Sequence, residues 1–94
     1  MNVTVRQLRA FVAVAQLSGF SAAATRLHLT QSTLSTLVRT LEDEIGVALF
    51  ERTTRSVKLT DAGRGFLASA EKMLTELHSA VAGTRRFERW LPSS

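Results

Sequence analysis

Between Thr30 and Arg39 the chain places hydroxyls, one amide and one guanidinium at close spacing, in the run TQSTLSTLVR. On a helix turning about 100° per residue, Ser32, Thr36 and Arg39 share one side. Thr33, Ser35 and Thr40 flank them, and Gln31 stands in the opening turn. These groups donate and accept hydrogen bonds, and the partial positive charge at a helix N-terminus favours an anion. The chemistry on offer is recognition of base edges and phosphate oxygens. Glu42, Asp43 and Glu44 make the far end acidic, so a polyanion is met by the Thr30 end first. The alternative is a solvated face with Arg39 paired to Asp43 one turn on.

Opposite the polar side, Leu34, Val38, Leu41 and Ile45 recur at steps of four, three and four, and Leu37 widens that stripe. Thr30 is the expected cap and Gly46 the stop. A shorter helix precedes it, with Ser21 as expected cap, Ala22, Ala23 and Ala24 as a small surface permitting close packing, and Leu27 and Leu29 as apolar contacts. Residues 21–46 therefore predict helix, tight turn and second helix, the arrangement that presents one helix to a DNA groove. Near the N-terminus, Arg6 and Arg9 followed by AFVAVAQL superficially resemble a secretory signal. Gln16 interrupts the apolar run, and Leu8, Phe11, Val12 and Ala15 form one helical face behind a Thr4 cap, which favours a core helix.

After Gly46 the pattern becomes strand-like. Leu49 to Arg52 and Val57 to Thr60 flank Thr53-Thr54-Arg55-Ser56, predicting a hairpin with Phe50, Val57 and Leu59 toward the core. Arg52, Arg55 and Lys58 gather near its tip, where they can meet phosphates or a minor groove; an ordinary charged loop is the alternative. Thr60 caps a long helix from Asp61 to about Phe87. Gly63, Phe66, Ala70, Met73, Leu77, Ala80, Thr84 and Phe87 form a heptad seam, and Leu67, Leu74 and Val81 a second ridge. One small domain cannot cover both ridges, so a homodimer through Phe66, Ala70, Met73, Leu74, Leu77, Ala80 and Val81 is expected. The first half of the helix is also expected to fold back on the first. Arg85, Arg86 and Arg89 make a basic end, and residues 90–94 read as the start of a linker.

Composition sets the outer bounds. Ninety-four residues make one small domain, and the absence of cysteine removes thiolate metal sites and thiol nucleophiles. Twelve Lys and Arg against eight Asp and Glu give a net charge of +4, a surface attractive to polyanions by counterion release. Acidic substrates and membrane surfaces are attracted by the same charge. No stretch approaches the roughly 20 apolar residues of a membrane span. A small enzyme fares worst: there is no Gly-rich phosphate loop, HExxH pair or Ser/His/Asp set. His28 and His78 read as solvated residues, and no cofactor or metal is expected.

Leu8, Phe11, Val12, Phe20 to Ala24, Leu27, Gln31-Ser32, Leu34-Ser35, Leu41-Glu42, Ile45-Gly46, Leu49 to Arg52 and Leu59 to Gly63 stand in an order and spacing similar to the N-terminal domain of LysR-type transcriptional regulators. The likeness runs from about Val5 to Phe87. It implies a mainly α winged helix-turn-helix, a three-helix core with a two-stranded wing, followed by a long linker helix that dimerises. It also implies a cytoplasmic bacterial regulator on promoter DNA. By this resemblance Gln31, Ser32, Thr33, Ser35, Thr36 and Arg39 face DNA, and Arg52, Thr53 and Arg55 lie at wing positions. Where many members carry a cation or second amide, this chain has Thr36 and Leu37, implying an unusual base preference and weaker groove contacts.

The expected organisation is a DNA-binding domain over 1–60, with helix-turn-helix about 21–45 and wing about 49–60, then a dimerisation helix over 61–89. Family members continue into a C-terminal domain of two α/β lobes that binds a small effector. No residues here correspond to it, so a fragment cut in the linker is expected, with a naturally short form as the alternative. A full-length form could assemble further, to a tetramer. Two functions compete: a dimer on inverted repeats spaced by about one or two helical turns, and a winged-helix docking module without DNA. Uncharged Ser32, Thr33 and Thr36 argue against docking, which needs apolar anchors.

Overall fold

Thr4 opens the first helix as a capping box: its hydroxyl accepts the Gln7 N–H at 3.1 Å, and the Gln7 side chain takes the Thr4 N–H at 2.9 Å. The computed structural model describes residues 1–53 and 56–90, with side chains through residue 86. In chain order the elements are α1 (Val5–Leu17), α2 (Phe20–Leu27), α3 (Gln31–Ile45), β1 (Phe50–Arg52), β2 (Val57–Leu59) and α4 (Asp61–Trp90). The molecule is a mainly helical winged helix-turn-helix with a long final helix, as the resemblance implies.

Helix α1 is the axle of the fold. Leu8, Phe11 and Val12 are buried as expected, but Ala10, Ala13 and Val14 are buried too, because α2, α3 and α4 pack against different sides of it. A single amphipathic face therefore understates this helix. Its alanines let the neighbouring helices approach closely.

Helix α2 starts earlier than Ser21. Gly19 is its N-cap, in extended backbone and without a side-chain cap bond, while the Ser21 carbonyl accepts the Thr25 hydroxyl inside the helix. The physical reason is Phe20, whose ring packs edge-on against Phe50 at 6.2 Å and so draws the chain into the helix two residues sooner. The turn that follows closes on His28, at φ 57°, whose N–H reaches the Ala24 and Thr25 carbonyls. Thr30 then caps α3 by accepting the Thr33 N–H, and Gly46, at φ 88°, ends it with a bond to the Glu42 carbonyl. Leu34, Val38 and Leu41 are fully buried, and Leu37 and Ile45 are half-buried.

The two short strands pair antiparallel, Phe50 opposite Leu59 and Arg52 opposite Val57. Phe50 is buried and Val57 and Leu59 half-buried, on the core side. Thr60 caps α4, accepting the Gly63 N–H while its hydroxyl donates to the Ala48 carbonyl at 2.7 Å. Asp61, in the first turn, pairs with Arg64.

The first half of α4 folds back on α1 as expected, so members of the expected dimer seam there are covered by the chain's own core. Ala70 is fully buried, and the half-buried Phe66 ring packs on Phe11 at 5.4 Å. Phe11 also meets Phe50 at 5.3 Å, so an aromatic series runs Phe20, Phe50, Phe11, Phe66 through α2, β1, α1 and α4. The heptad period is satisfied by α1 over this stretch. Gly63, also placed in that seam, is buried against the Leu49 carbonyl. Leu74 is half-buried against the same core. Met73 (43% exposed), just before it, and Leu77 (36%), Ala80 and Val81 (43%), beyond it, remain uncovered.

Candidate nucleic-acid interface

With its apolar stripe turned into the core, α3 must present its other side outward. Gln31, Ser32, Thr33, Thr36 and Arg39 are all exposed there, and Ser35 is half-buried. Arg39 forms no ion pair among the described residues, so the expected alternative of a pair with Asp43 is not realised. Its guanidinium is a charge-bearing group held on a rigid element beside the hydroxyls.

Those hydroxyls are already oriented. Thr36 Oγ1 donates to the Ser32 carbonyl at 3.0 Å, and Thr40 Oγ1 to the Thr36 carbonyl at 2.7 Å, the back-bond common to helical threonines. Their outward lone pairs are thereby acceptors. Thr33 Oγ1 accepts from the Thr30 hydroxyl at 2.9 Å and keeps its own proton to donate. At the Thr30 end the face thus combines a donor, an acceptor, an amide and the opening turn of a helix.

The acidic run is divided among different partners. Glu42 turns toward the wing, where one carboxylate oxygen accepts the Leu49 N–H at 2.7 Å and the Phe50 N–H at 3.2 Å, and the other meets Arg52 Nη2 at 2.9 Å. Glu44 accepts the Asn2 N–H at 3.0 Å. Asp43 is exposed. A tie from Glu42 to the strand was not visible in sequence; Glu42 and Arg52, of opposite charge and ten residues apart, were the only trace of it.

The wing residues are placed unequally. Arg52, besides its pair with Glu42, lies over the Phe20 ring at 5.2 Å from the centroid. Thr53 closes the turn, its N–H donating to the Ser56 carbonyl at 3.0 Å and its hydroxyl accepting the Ser56 N–H at 3.0 Å. Lys58 is exposed. Arg55 lies outside the described residues, as do residues 91–94 of the expected linker and the side chains of Phe87 and Arg89. Gln16, bonded to Arg26 at 3.1 Å and to Glu71 at 3.0 Å, ties α2 to α4 across α1.

A helix pair joined by a tight turn, an outward polar face on the second helix and a two-stranded wing beside it define a winged helix-turn-helix of the regulatory class. The sequence matches the profile of the bacterial regulatory helix-turn-helix protein, lysR family, over residues 5–64, and the chain belongs to that family. Among curated relatives, the HTH-type transcriptional regulator ShiR of Corynebacterium glutamicum is 56% identical over 78 residues, 83% of this chain and 26% of its own length. The uncharacterised HTH-type regulator YfeR of Shigella flexneri is 45% identical over 91 residues, 97% of this chain and 30% of its own. The chain thus spans about a third or less of the curated relatives it matches. Of solved structures, the complex of BenM_DBD with catB site 1 DNA superposes with TM-score 0.88 at 39% identity, covering 90% of this chain and 96% of that one. A full-length OxyR variant from Pseudomonas aeruginosa gives 0.88 at 40% identity, over 90% of this chain and 29% of its own.

Proposed function

We propose that this chain is the sequence-reading, duplex-DNA-binding part of a LysR-family transcriptional regulator, with α3 in the major groove and the wing against the backbone or minor groove. The carrying observation is the outward face of α3, where Gln31, Ser32, Thr33, Thr36 and Arg39 are exposed together at the end opposite its exposed acidic residues. The superposition on a relative solved with DNA supports it. On this reading the chain is a regulator segment and no enzyme, works in the bacterial cytoplasm, and leaves effector response to parts of the protein outside these residues. The uncovered Met73, Leu77, Ala80 and Val81 support a homodimer along α4, hence an inverted-repeat target. A docking module without DNA is disfavoured, because the outward face of α3 offers no apolar anchor.

The test is enrichment of duplexes from a randomised pool by the 94-residue chain, followed by titration of the enriched duplex at several salt concentrations. A selected motif with log affinity falling linearly in log salt is the expected result. Arg39→Ala should flatten that slope by roughly 0.9 if the guanidinium meets a phosphate. No enrichment at low ionic strength would end the proposal, and an unchanged slope would remove Arg39 from the interface.

A further inference from the structure

Arg52 was assigned to DNA by its wing position, but its surroundings indicate a different task. The guanidinium touches three elements at once: its own strand β1, the Glu42 carboxylate of α3 at 2.9 Å, and the face of Phe20 on α2 at 5.2 Å. Its side chain is 32% exposed and that of Glu42 14%. Glu42 in turn holds the wing's entry by accepting the Leu49 and Phe50 N–H groups. Arg52 is the last residue of β1, directly before Thr53, which closes the turn. Arg52 thus ends β1 with its charge matched by Glu42 and its guanidinium over the Phe20 ring.

Resting on the DNA-binding reading above, we propose that Glu42 and Arg52 form a clamp that fixes the angle of the wing against α3. They are positioning residues: Arg52 serves binding by aiming the wing, without contacting a phosphate itself. The chemistry favours this division. A planar guanidinium can pair with a carboxylate and lie on an aromatic ring together, whereas a group meant for phosphate is better left extended and unpaired. Glu42 also belongs to an acidic run beside a polyanion site, where an unneutralised carboxylate would oppose binding.

The two roles differ in sign for one conservative variant. Glu42→Gln keeps an oxygen for the strand N–H groups but loses the charge that holds Arg52. Under the clamp, Glu42→Gln weakens affinity for the pool-enriched duplex by roughly threefold to tenfold, Arg52→Met does the same, and the double variant is no worse than either. Hydroxyl-radical footprints should keep the protection under α3 and lose the flanking protection under the wing. Circular dichroism melts would show both variants folded at the assay temperature. If Arg52 contacts phosphate directly, Glu42→Gln leaves affinity unchanged or raises it, and the two losses do not merge; either result overturns the clamp. Arg52→Lys gives a second arm that needs no change at Glu42. It keeps the charge but not the planar guanidinium fork, so the clamp expects a loss like that of Arg52→Met, and near-wild-type affinity would contradict it. Failure of the wild-type chain to enrich any duplex would instead remove the DNA-binding reading itself.

Discussion

Thr33 and Thr36, on the exposed side of α3, present different hydrogen-bonding groups. Thr36 has committed its proton to the Ser32 carbonyl, so toward a groove it offers lone pairs, while Thr33 accepts from Thr30 and offers a proton. Base edges in the major groove differ in their order of donors and acceptors, so this pairing restricts what can lie opposite each residue. Thr36 fits the amino group of adenine or cytosine. Thr36→Val keeps the branched shape and removes the acceptor. Its expected effect is loss of preference at one base position, worth about 1–3 kcal/mol of discrimination, with little change elsewhere in the motif. Competition titration against a panel of single-base variants measures this, and uniform weakening across the panel would contradict a reading role for Thr36.

At the scale of elements, the wing and α4 are joined where chain passes close to chain. A Cβ on Gly63 would fall on the Leu49 carbonyl, whereas one on Gly65, two residues further along the same helix, would meet nothing within 4 Å. Gly63→Ala should therefore destabilise the fold by about 1–3 kcal/mol through overpacking. Gly65→Ala should raise stability by about 0.5–1 kcal/mol, since alanine reduces the freedom of the unfolded chain. Urea melts of the two variants decide it; similar effects at both sites would mean that α4 does not press on Leu49. The same contrast explains which features were legible in sequence. Thr4, Thr30, Gly46 and Thr60 act on residues three or four away, so their cap roles follow from spacing. The outward side of α3 was likewise legible, because the apolar stripe leaves only one place for the hydroxyls. By contrast, Ser21 lost its cap role to Gly19, because Phe20 is already helical and packs on Phe50, thirty residues on. The burial of Ala10, Ala13 and Val14 in α1 and the capture of Arg52 by Glu42 depend on which element arrives from elsewhere. A periodic pattern records that a face is covered and is silent on what covers it.

For the whole molecule, the decisive proportion is the length of α4 against the core that supports it. Thirty helical residues extend about 45 Å, and the molecule measures 57 × 24 × 20 Å, so the rod outruns the helices packed on its first half. The sequence of burial along α4 records the crossing: Gly63 and Ala70 are buried, Phe66, Leu67 and Leu74 half-buried, and Met73, Leu77, Ala80 and Val81 exposed. An apolar strip along a projecting rod is costly in water and is self-complementary in a two-fold pair. Pairing two chains there would carry two α3 faces on one rigid frame, and the second would bind at an effective concentration set by that frame. Met73→Lys tests this, because Met73 is 43% exposed and its replacement leaves the core intact. Sedimentation velocity should show a dimer for the wild-type chain and a monomer for the variant. Affinity for an inverted repeat should fall by about 10²- to 10⁴-fold, with affinity for a single half-site unchanged. A persistent dimer with Lys at position 73 would place the partner on another surface. A monomer that keeps full affinity for the inverted repeat would separate dimerisation from DNA binding and leave α4 without a part in target choice.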